Sequence, residues 1–353
     1  MQTQSNKQDF SGQNFYCGID YHKKTWSVTI ETDDIRLKTF TQDSDPEKLV
    51  RYLKKNYPGG NYIAGYESGY FGFNTHRQFR DQGIDCLVIH AADIPTTHKE
   101  KDQKRDPLDS KKIAKALRTG QVHSIWVPPI TTEQDRQLLR MRRTIARDQV
   151  RVKNRIKAFL QIHHVQYPEA FSNSRSHWSK RFIVWLEEVR LEESTGTESL
   201  QVLVRNLKFI RNELLQITRK IRQLSILPRY KKACSKLVGI PGVGMLTAMI
   251  ILTEIGDINR FKNIESFRSF IGLIPRSHSS GEKDYQGSIT SRGSSHLRSL
   301  LVESSWTAAR RDSFYMNEYS KHLKKMKANK AIIRVAKKMV NHIYSVLKET
   351  AHN

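Results

Sequence analysis

The first third of the chain alternates short runs of period-two hydrophobicity with stretches of helical periodicity. Its apolar pattern predicts strands at residues 15–20, 26–31 and 36–40, close enough in sequence for an antiparallel meander. The elements predicted next are, in order, a helix at 46–57, a strand at 62–67, a helix around 73–82 and a strand at 86–90. A meander followed by alternating helices and strands predicts a mixed sheet with helices on its faces.

Beyond Pro128 and Pro129 the pattern changes to long helices. The first, predicted over residues 132–163, carries an apolar stripe made of Leu138, Met141, Ile145, Val152, Ile156 and Phe159. The second begins near Glu198, ends at Pro228 and has apolar residues spaced alternately by three and four, at Leu200, Leu203, Leu207, Ile210, Leu214, Ile217, Ile221 and Leu224. This spacing is typical of a coiled coil, and it fits two helices of one chain as well as a dimer seam.

The last third of the chain predicts a mostly helical domain. A glycine-rich turn at 239–244 leads into an apolar helix at 245–254, and a Gly/Ser-rich loop at 277–295 follows. The C-terminal helix is amphipathic, with an apolar face made of Ile332, Val335, Ala336, Met339, Ile343 and Leu347. The chain is therefore of the α/β plus α class, and we expect four segments: a disordered one over 1–14, an α/β domain over 15–128, a helical domain over 129–230 and a mostly helical domain over 231–353.

Charge identifies the kind of partner. The 353 residues include 60 Lys and Arg against 35 Asp and Glu, a formal net charge of +25. Because neutralised phosphates release counterions, such a surplus favours nucleic acid over other partners. The N-terminus lacks an apolar signal core and no run is long enough to span a membrane, so we expect a cytoplasmic protein without a membrane partner, whose Cys17, Cys86 and Cys234 are reduced and buried.

The positive charge is spread unevenly along the chain. Between Pro129 and Leu160 there are nine Lys and Arg against three acids, and from Glu318 to the C-terminus nine against two. These two helices are expected to hold nucleic acid, with candidate contacts at Arg142, Arg143, Arg151, Lys337 and Lys338.

Four carboxylates stand at the ends of predicted elements in this acid-poor protein. Asp20 ends the first strand and Glu67 the fourth, so the two meet if those strands are parallel neighbours. Asp106 and Asp109 are three residues apart at the start of a predicted helix that runs to about Leu117. Four converging carboxylates would hold one or two Mg²⁺ ions, which suit phosphoryl transfer.

A purely structural role is also open for these acids. Asp106 precedes Pro107 and fits a helix N-cap, and Asp109 fits the acidic position of a capping box. Asp20 and Glu67 are equally compatible with turns at strand ends. Their shared placement in one domain is what favours the metal-binding hypothesis.

Two further motifs belong to the last third. The turn Gly239-Ile240-Pro241-Gly242-Val243-Gly244 resembles the hairpin of helix-hairpin-helix modules, in which backbone N–H groups, here near Gly242 and Gly244, face a DNA phosphate. Ser280 precedes Gly281 in the Gly/Ser-rich loop, where Arg276, Arg292 and Arg298 are available to bind phosphate. A serine so placed is a candidate nucleophile, although composition alone also fits a solvated loop.

Five ordered motifs give the chain a family resemblance over about residues 15 to 350. They are Gly18-Ile19-Asp20, Tyr66-Glu67-Ser68-Gly69-Tyr70, Arg105-Asp106-Pro107-Leu108-Asp109, the 239–244 turn, and Phe270-Ile271-Gly272-Leu273-Ile274-Pro275 through Ser280-Gly281. Together they resemble the DEDD transposases of the IS110 family of bacterial insertion sequences, which are bridge-RNA-guided recombinases.

The resemblance implies a RuvC-like domain of RNase H fold whose four carboxylates match Asp20, Glu67, Asp106 and Asp109. It implies a coiled-coil middle and a C-terminal transposase domain whose nucleophilic serine matches Ser280, with Ser279 and Ser277 close enough to leave the register open. It further implies Mg²⁺, donor and target double-stranded DNA, a structured guide RNA, and homodimers that assemble into a tetramer with composite catalytic centres. A location near the bacterial nucleoid follows from such partners.

The expected function is excision and insertion of a mobile element through a covalent phosphoserine intermediate. One alternative uses the same carboxylates with water, as a Holliday-junction endonuclease does, and predicts no protein–DNA adduct. Another is a non-catalytic basic scaffold for RNA or DNA, in which the acids only cap elements. The two catalytic hypotheses require Asp20 and Glu67, and only the first requires Ser280.

Overall fold

A computed structural model describes the backbone of residues 9–95, 106–280, 283–289 and 293–352. The chain divides into two compact units, residues 1–127 and 128–353, each with hydrophobic cores of its own. The boundary between the units coincides with the predicted change of pattern at Pro128 and Pro129.

The first unit is built on a five-stranded sheet of order β3-β2-β1-β4-β5. Its elements are β1 (Asn14–Tyr21), β2 (Thr25–Glu31), β3 (Arg36–Asp43), α1 (Pro46–Asn56), β4 (Asn61–Glu67), α2 (Asn74–Asp81), β5 (Asp85–Ile89) and α3 (Asp106–Arg118). Strands β1, β2 and β3 pair antiparallel, and β4 and β5 continue the sheet in parallel. The mixed sheet and its initial meander are therefore confirmed, and this topology fits a RuvC-like fold.

The N-terminal boundary differs from the expected one. Phe10 packs its ring edge-on against Phe15 and Tyr57, at centroid distances of 5.7 and 5.6 Å, and its N–H donates to the Pro58 carbonyl. Aromatic contacts with the core therefore order the chain from Phe10 rather than from residue 15. The rest of the segment predicted as disordered, residues 1–8, lies outside the described residues.

The second unit is mostly helical. Its elements are α4 (Ile130–Ile162), α5 (Lys180–Glu188), α6 (Ser194–Ser225), α7 (Pro228–Val238), α8 (Met245–Ile255), α9 (Ile264–Ile271), β6 (Pro275–Ser280), β7 (Lys283–Ile289), α10 (Ser295–Arg311), α11 (Ser313–Leu323) and α12 (Ala328–His352). Helices α4 and α6 are each over thirty residues long, as the sequence pattern predicted.

Helices α4 and α6 pack on each other within the chain as an antiparallel pair. The start of α4, at Leu139, shares a core with the end of α6, whereas Val152 and Ile156 share a second core with Leu200 and Leu207. The predicted stripe on α4 is wrong at one position, because Met141 is exposed and Leu139 is buried instead. A regular helix makes one turn every 3.6 residues. A stripe predicted from spacings of three and four residues therefore drifts around so long a helix, and a neighbouring residue faces the core instead.

The segment predicted as a Gly/Ser-rich loop contains a β-hairpin. Strands β6 and β7 pair antiparallel, with Pro275 opposite Ile289 and Ser280 opposite Lys283. Serine and glycine are weak strand formers, so this ladder has no period-two hydrophobic pattern by which it could be predicted. Hairpin pairing here is carried by the backbone.

The cysteines of both units are buried in the fold. Cys17, Cys86 and Cys234 are free, as expected. Burial raises the pKa of the Cys17 thiol to about 12, which keeps it protonated at neutral pH.

Membrane-spanning helices were not expected from the sequence. None of the helices in the described ranges has an apolar stretch that could cross a bilayer.

Candidate active site and nucleic-acid interface

Glycine at position 18 lets helix α3 lie directly on the sheet. A Cβ at Gly18 would stand 2.2 Å from the Ser110 carbonyl oxygen and 2.3 Å from the Ala114 nitrogen, which is closer than real atoms approach. Its neighbour in the parallel ladder is Gly65, where a Cβ would come within 3.0 Å of the Leu117 side chain. Two paired glycines therefore form the floor on which α3 rests.

Asp20 and Glu67 lie two residues beyond this floor. Strands β1 and β4 are parallel neighbours with Ile19 opposite Tyr66, so Asp20 and Glu67 follow as adjacent positions. Because side chains alternate along a strand, both carboxylates are on the face that carries α3. The condition on which their meeting depended, that the two strands are parallel neighbours, is confirmed. We call the ends of β1 and β4 at Asp20 and Glu67, together with the start of α3, the acidic edge.

A buried hydroxyl network fixes the start of α3 at the level of Asp20. The Ser110 hydroxyl lies 3.2 Å from that of Ser27 and 2.9 Å from that of Thr29. Ser27 is the register partner of Asp20 across the β1–β2 ladder. Asp109 precedes Ser110 in the chain, so the network also holds the backbone of Asp109 at the acidic edge.

Two of the described carboxylates at this edge, Asp20 and Asp109, have basic neighbours. Asp20 Oδ2 lies 3.2 Å from His22 Nε2, and Asp109 Oδ1 accepts from Lys112 Nζ at 3.2 Å. Asp106 is the first residue of α3, and its side chain lies outside the described residues. Among the side chains that are described, no group of three or more His, Cys, Asp or Glu is close enough to hold a metal ion.

Ser280 is the last residue of β6, at the tip of the hairpin in the second unit. The backbone of Arg276 belongs to the same strand, while the side chains of both residues and the whole of Arg292 lie outside the described residues. The backbone of the candidate nucleophile therefore ends β6, opposite Lys283 in the ladder.

The base of the hairpin segment is closed by backbone contacts. Gly293 has φ +94°, and a Cβ there would stand 2.7 Å from the Gly272 nitrogen. The backbone entering the hairpin segment at Gly272 and the backbone leaving it at Gly293 are therefore in close contact. The Ser294 N–H donates to the Phe270 carbonyl at 2.9 Å, and the Arg298 guanidinium donates to the Gly272 carbonyl at 3.1 Å. Arg298, predicted to bind phosphate, thus also anchors the hairpin.

The other predicted basic contacts fall into different environments. Arg142 donates to the Thr218 hydroxyl at 2.9 Å, which joins α4 to α6, and burial lowers its pKa. Arg151 is exposed and donates to Asp148 at 2.6 Å. Burial lowers the pKa of Lys337 on α12, helped by nearby Arg268, whereas Lys338 beside it is exposed. Arg142 therefore has a structural contact that its sequence position did not indicate.

Sequence reasoning missed an arginine cluster around a single acid. Glu254 on α8 accepts two hydrogen bonds from Arg140, at 2.7 and 2.8 Å, and lies 3.9 Å from Arg136. Burial, then Arg143, lower the pKa of His296 at the start of α10, and Glu254 acts in the opposite direction. The arginines of this cluster, unlike Glu254, could have been recognised from the sequence. Spacings of four, three and four place them on one face of a helix, at Arg136, Arg140, Arg143 and Arg147. We call Arg136, Arg140, Arg143, Arg147, Glu254 and His296 the basic cluster.

The glycine-rich turn combines packing with an open helix start. Gly242 has φ +84°, and a Cβ there would stand 2.2 Å from the Ser304 carbonyl of α10, so this glycine is needed for close packing. Gly244 is exposed and caps α8 without any side-chain hydrogen bond. The first N–H groups of α8 therefore have no capping side chain, which leaves them available to a phosphate.

An acidic edge on a mixed sheet, together with a basic helical unit that carries a serine-tipped hairpin, fits the class of nucleic-acid-processing enzymes. Two family models match the chain in the expected order. Residues 17–165 match a transposase model of the DEDD type, and residues 234–321 match the model described as the transposase IS116/IS110/IS902 family. The chain belongs to the IS110 family of transposases, which are enzymes that cleave and join DNA.

Similar proteins agree with this assignment. The transposase of insertion sequence element IS1111A from Coxiella burnetii is 26% identical over 94% of this chain and 85% of its own length. The transposase of IS1533 from Leptospira borgpetersenii is 24% identical over 82% of this chain and 84% of its own. The Sinorhizobium fredii protein y4qE, which carries a transposase name, is 28% identical over 69% of this chain, and the match spans only 57% of y4qE.

Proposed function

We propose that this chain excises and inserts a mobile DNA element, with a serine nucleophile assisted by carboxylate-bound Mg²⁺. The observation that carries the proposal is the parallel register of β1 and β4, which makes Asp20 and Glu67 neighbours beneath the start of α3. Family membership supplies the reaction class, and the Ser280 hairpin supplies the nucleophile.

Asp20, Glu67, Asp106 and Asp109 would together hold the metal. Carboxylate oxygens are the ligands that hard divalent cations prefer, and two of the four already occupy adjacent register positions on one face. When bound, Mg²⁺ would neutralise charge on the scissile phosphate and favour ionisation of the attacking hydroxyl. Fixed strand ends and the Ser110 network keep the ligand backbones in place for this role.

The serine step conserves the energy of the phosphodiester. The Ser280 Oγ forms a bond to phosphorus while the bond from phosphorus to the neighbouring nucleotide oxygen breaks. The proton of the serine hydroxyl ends on the released nucleotide oxygen. One DNA end then carries a phosphoserine and the other a free hydroxyl. Attack of a second DNA hydroxyl on the phosphoserine reverses these changes and joins new ends without ATP.

The remaining parts of the proposal concern partners and assembly. Donor and target DNA would bind along the basic faces of α4 and α12, with the open start of α8 at Gly244 as a further phosphate contact. A structured guide RNA would select both DNAs, and homodimers would pair into a tetramer in which the acidic edge of one protomer serves the serine of another. These features rest on the family resemblance together with the net charge of +25.

A covalent-adduct assay tests the serine assignment. Full-length protein is incubated with Mg²⁺ and labelled DNA carrying the element's ends, and protein-bound label is resolved on a denaturing gel. We expect the adduct to vanish in Ser280→Ala and to persist in the matched variant Ser279→Ala. Loss in Ser279→Ala alone would move the nucleophile by one residue. Cleavage without any adduct would favour hydrolysis by water instead.

A further inference from the structure

A cleft opens at the far end of the α4–α6 pair, between the end of α4 and the segment that leads to α5. Its volume is about 550 Å³, within the usual range for sites that take small molecules or single nucleotides. None of the family motifs falls in this part of the chain, and the serine and carboxylate chemistry makes no use of it.

The cleft has aromatic walls. The rings of Tyr167 and His177 are stacked in parallel, 5.1 Å apart with an interplanar angle of 10°. Phe171 is buried beside them, and Phe182 continues the stack from His177 at 4.8 Å. Burial raises the pKa of the Tyr167 hydroxyl, so this ring stays neutral at physiological pH. Flat neutral rings of this kind are stacking partners for nucleobases.

Polar groups in the walls match the edges of a base. The His177 Nε2 lies 2.8 Å from the Phe171 carbonyl oxygen, which can only accept, so Nε2 carries the hydrogen. This hydrogen bond fixes the orientation of the His177 ring in the wall. Gln161 and Gln166 also line the cleft and offer amide donors and acceptors.

Backbone strain marks the same place. His164 and Trp178 have φ values of +50° and +68°, and they are the non-glycine residues with positive φ in the described chain. His164 lines the cleft, and Trp178 follows His177 directly. Left-handed conformations of large residues cost of order 1 kcal/mol or more each and cluster at binding sites.

Positive charge lies beside the cleft, where Lys157 is one of its lining residues and two further cations contact Trp178, the residue after His177. Lys153 and Lys157 lie over the Trp178 ring at 5.4 and 6.0 Å, and Arg211 donates to the Trp178 carbonyl at 3.1 Å. The pKa of Lys153 is lowered by burial, then by Arg211 and Lys157, which shows that the three cations crowd one another. None of the ten residues that line the cleft is acidic.

We propose that this cleft binds one unstacked base of a single-stranded nucleic acid. The base would stack on the Tyr167–His177 wall with its edge toward Gln161 and Gln166, while Lys153, Lys157 and Arg211 bind the adjoining phosphates. The inference rests on the proposed function only in taking nucleic acid as the partner. RNA and DNA share the chemistry required, and the experiment separates them.

Photocrosslinking tests the proposal on the full-length protein. The probes are single-stranded oligonucleotides of about 12 nucleotides, a length within the usual site sizes of single-strand binders, with 4-thiouridine in the RNA and 4-thiothymidine in the DNA. We expect crosslinked peptides from residues 161–178, with either probe or both, and the probe that reacts identifies the natural source. Crosslinks confined to other parts of the chain would overturn the proposal.

Affinity measurements add variants to this test. Tyr167→Leu removes the stacking ring, and we expect oligonucleotide binding to weaken at least about fivefold. If Tyr167→Leu does not fold, the variants Lys157→Ala and Gln166→Ala, which change exposed residues, are measured in its place. Lys220→Ala on α6 is the matched surface control. Equal affinities for Lys157→Ala, Gln166→Ala and the control would contradict the proposal.

The two proposals fail separately. Ser280→Ala removes the candidate nucleophile but none of the residues of the cleft, so its crosslinks at 161–178 are expected to persist. If Ser280→Ala left adduct formation intact while the crosslinks remained, the serine mechanism would fall and the cleft would stand. If the parent protein formed the adduct but gave no crosslinks at 161–178, the cleft proposal would fall and the serine mechanism would stand.

Discussion

Buried acids and edge acids have different surroundings in this protein. Glu31 in the first unit accepts from Arg36 and Arg118, and Glu254 in the second accepts from Arg140, so each buried carboxylate is neutralised by guanidinium groups. At the acidic edge, Asp20 instead lies beside an imidazole, and Glu67 is exposed at a strand end. The comparison separates acids that are paired within the packed core from the edge acids that we propose bind a cation.

The largest expected effect comes from removing an edge carboxylate. Asp20→Asn keeps the shape but removes one negative charge from the proposed metal site, so we expect strand transfer to fall by roughly a thousandfold. Thermal unfolding should change little, because Asp20 stands at a strand end. Asp34→Asn, at an exposed turn of the same unit, is the matched control and should retain full activity. Full activity of Asp20→Asn would place this acid among the structural ones.

A buried acid should behave in the opposite way. Glu254→Ala leaves Arg136 and Arg140 without their carboxylate, and we expect a loss of about 3 kcal/mol in the free energy of unfolding. Chemical denaturation followed by tryptophan fluorescence measures it. Glu198→Ala, which breaks an exposed pair with Arg205, is the control and should cost less than about 1 kcal/mol. Equal losses in the two variants would mean that the basic cluster contributes no stability.

The glycine floor of the acidic edge is the next test. Gly18→Ala forces a methyl group against the Ser110 backbone, and we expect a cost of about 2 kcal/mol together with a displaced α3. Gly69→Ala is the control, since a Cβ there meets nothing within 4 Å. Unfolding midpoints measure the cost. Should Gly18→Ala be as stable as the control, α3 would not be held in contact with β1.

The smallest expected effect is a pH dependence from the basic cluster. The pKa of His296 is lowered in the folded state by burial and then by Arg143, so the unfolded chain binds this proton more readily. The His296 contribution to stability is therefore present above the unfolded pKa of about 6.5 and is lost as pH falls below it. We expect His296→Gln to unfold with a shallower pH dependence than the parent between about pH 6.5 and 5. Parallel profiles would show that the cluster does not oppose protonation.

Much of the fold was predictable because each strand and helix of the first unit has its own period of hydrophobicity. The sequence predicted that Asp20 and Glu67 meet only if β1 and β4 are parallel neighbours. Strand order itself was not predictable, because it depends on long-range contacts that periodicity does not encode. The β6–β7 hairpin was missed because Ser279 and Ser280 carry no apolar alternation. Glu254 was missed because the arginines that surround it are more than a hundred residues away along the chain.

Mixing two inactive proteins tests the central claim most directly, namely that the acidic edge and the Ser280 hairpin form one catalytic centre across protomers. Asp20→Asn protein and Ser280→Ala protein are each expected to be inactive in strand transfer. Combined, they can form centres that unite an intact acidic edge from one protomer with an intact serine from another. We predict that the mixture regains a measurable fraction of parental activity. A mixture as inactive as its components, although the two proteins co-assemble, would contradict the account.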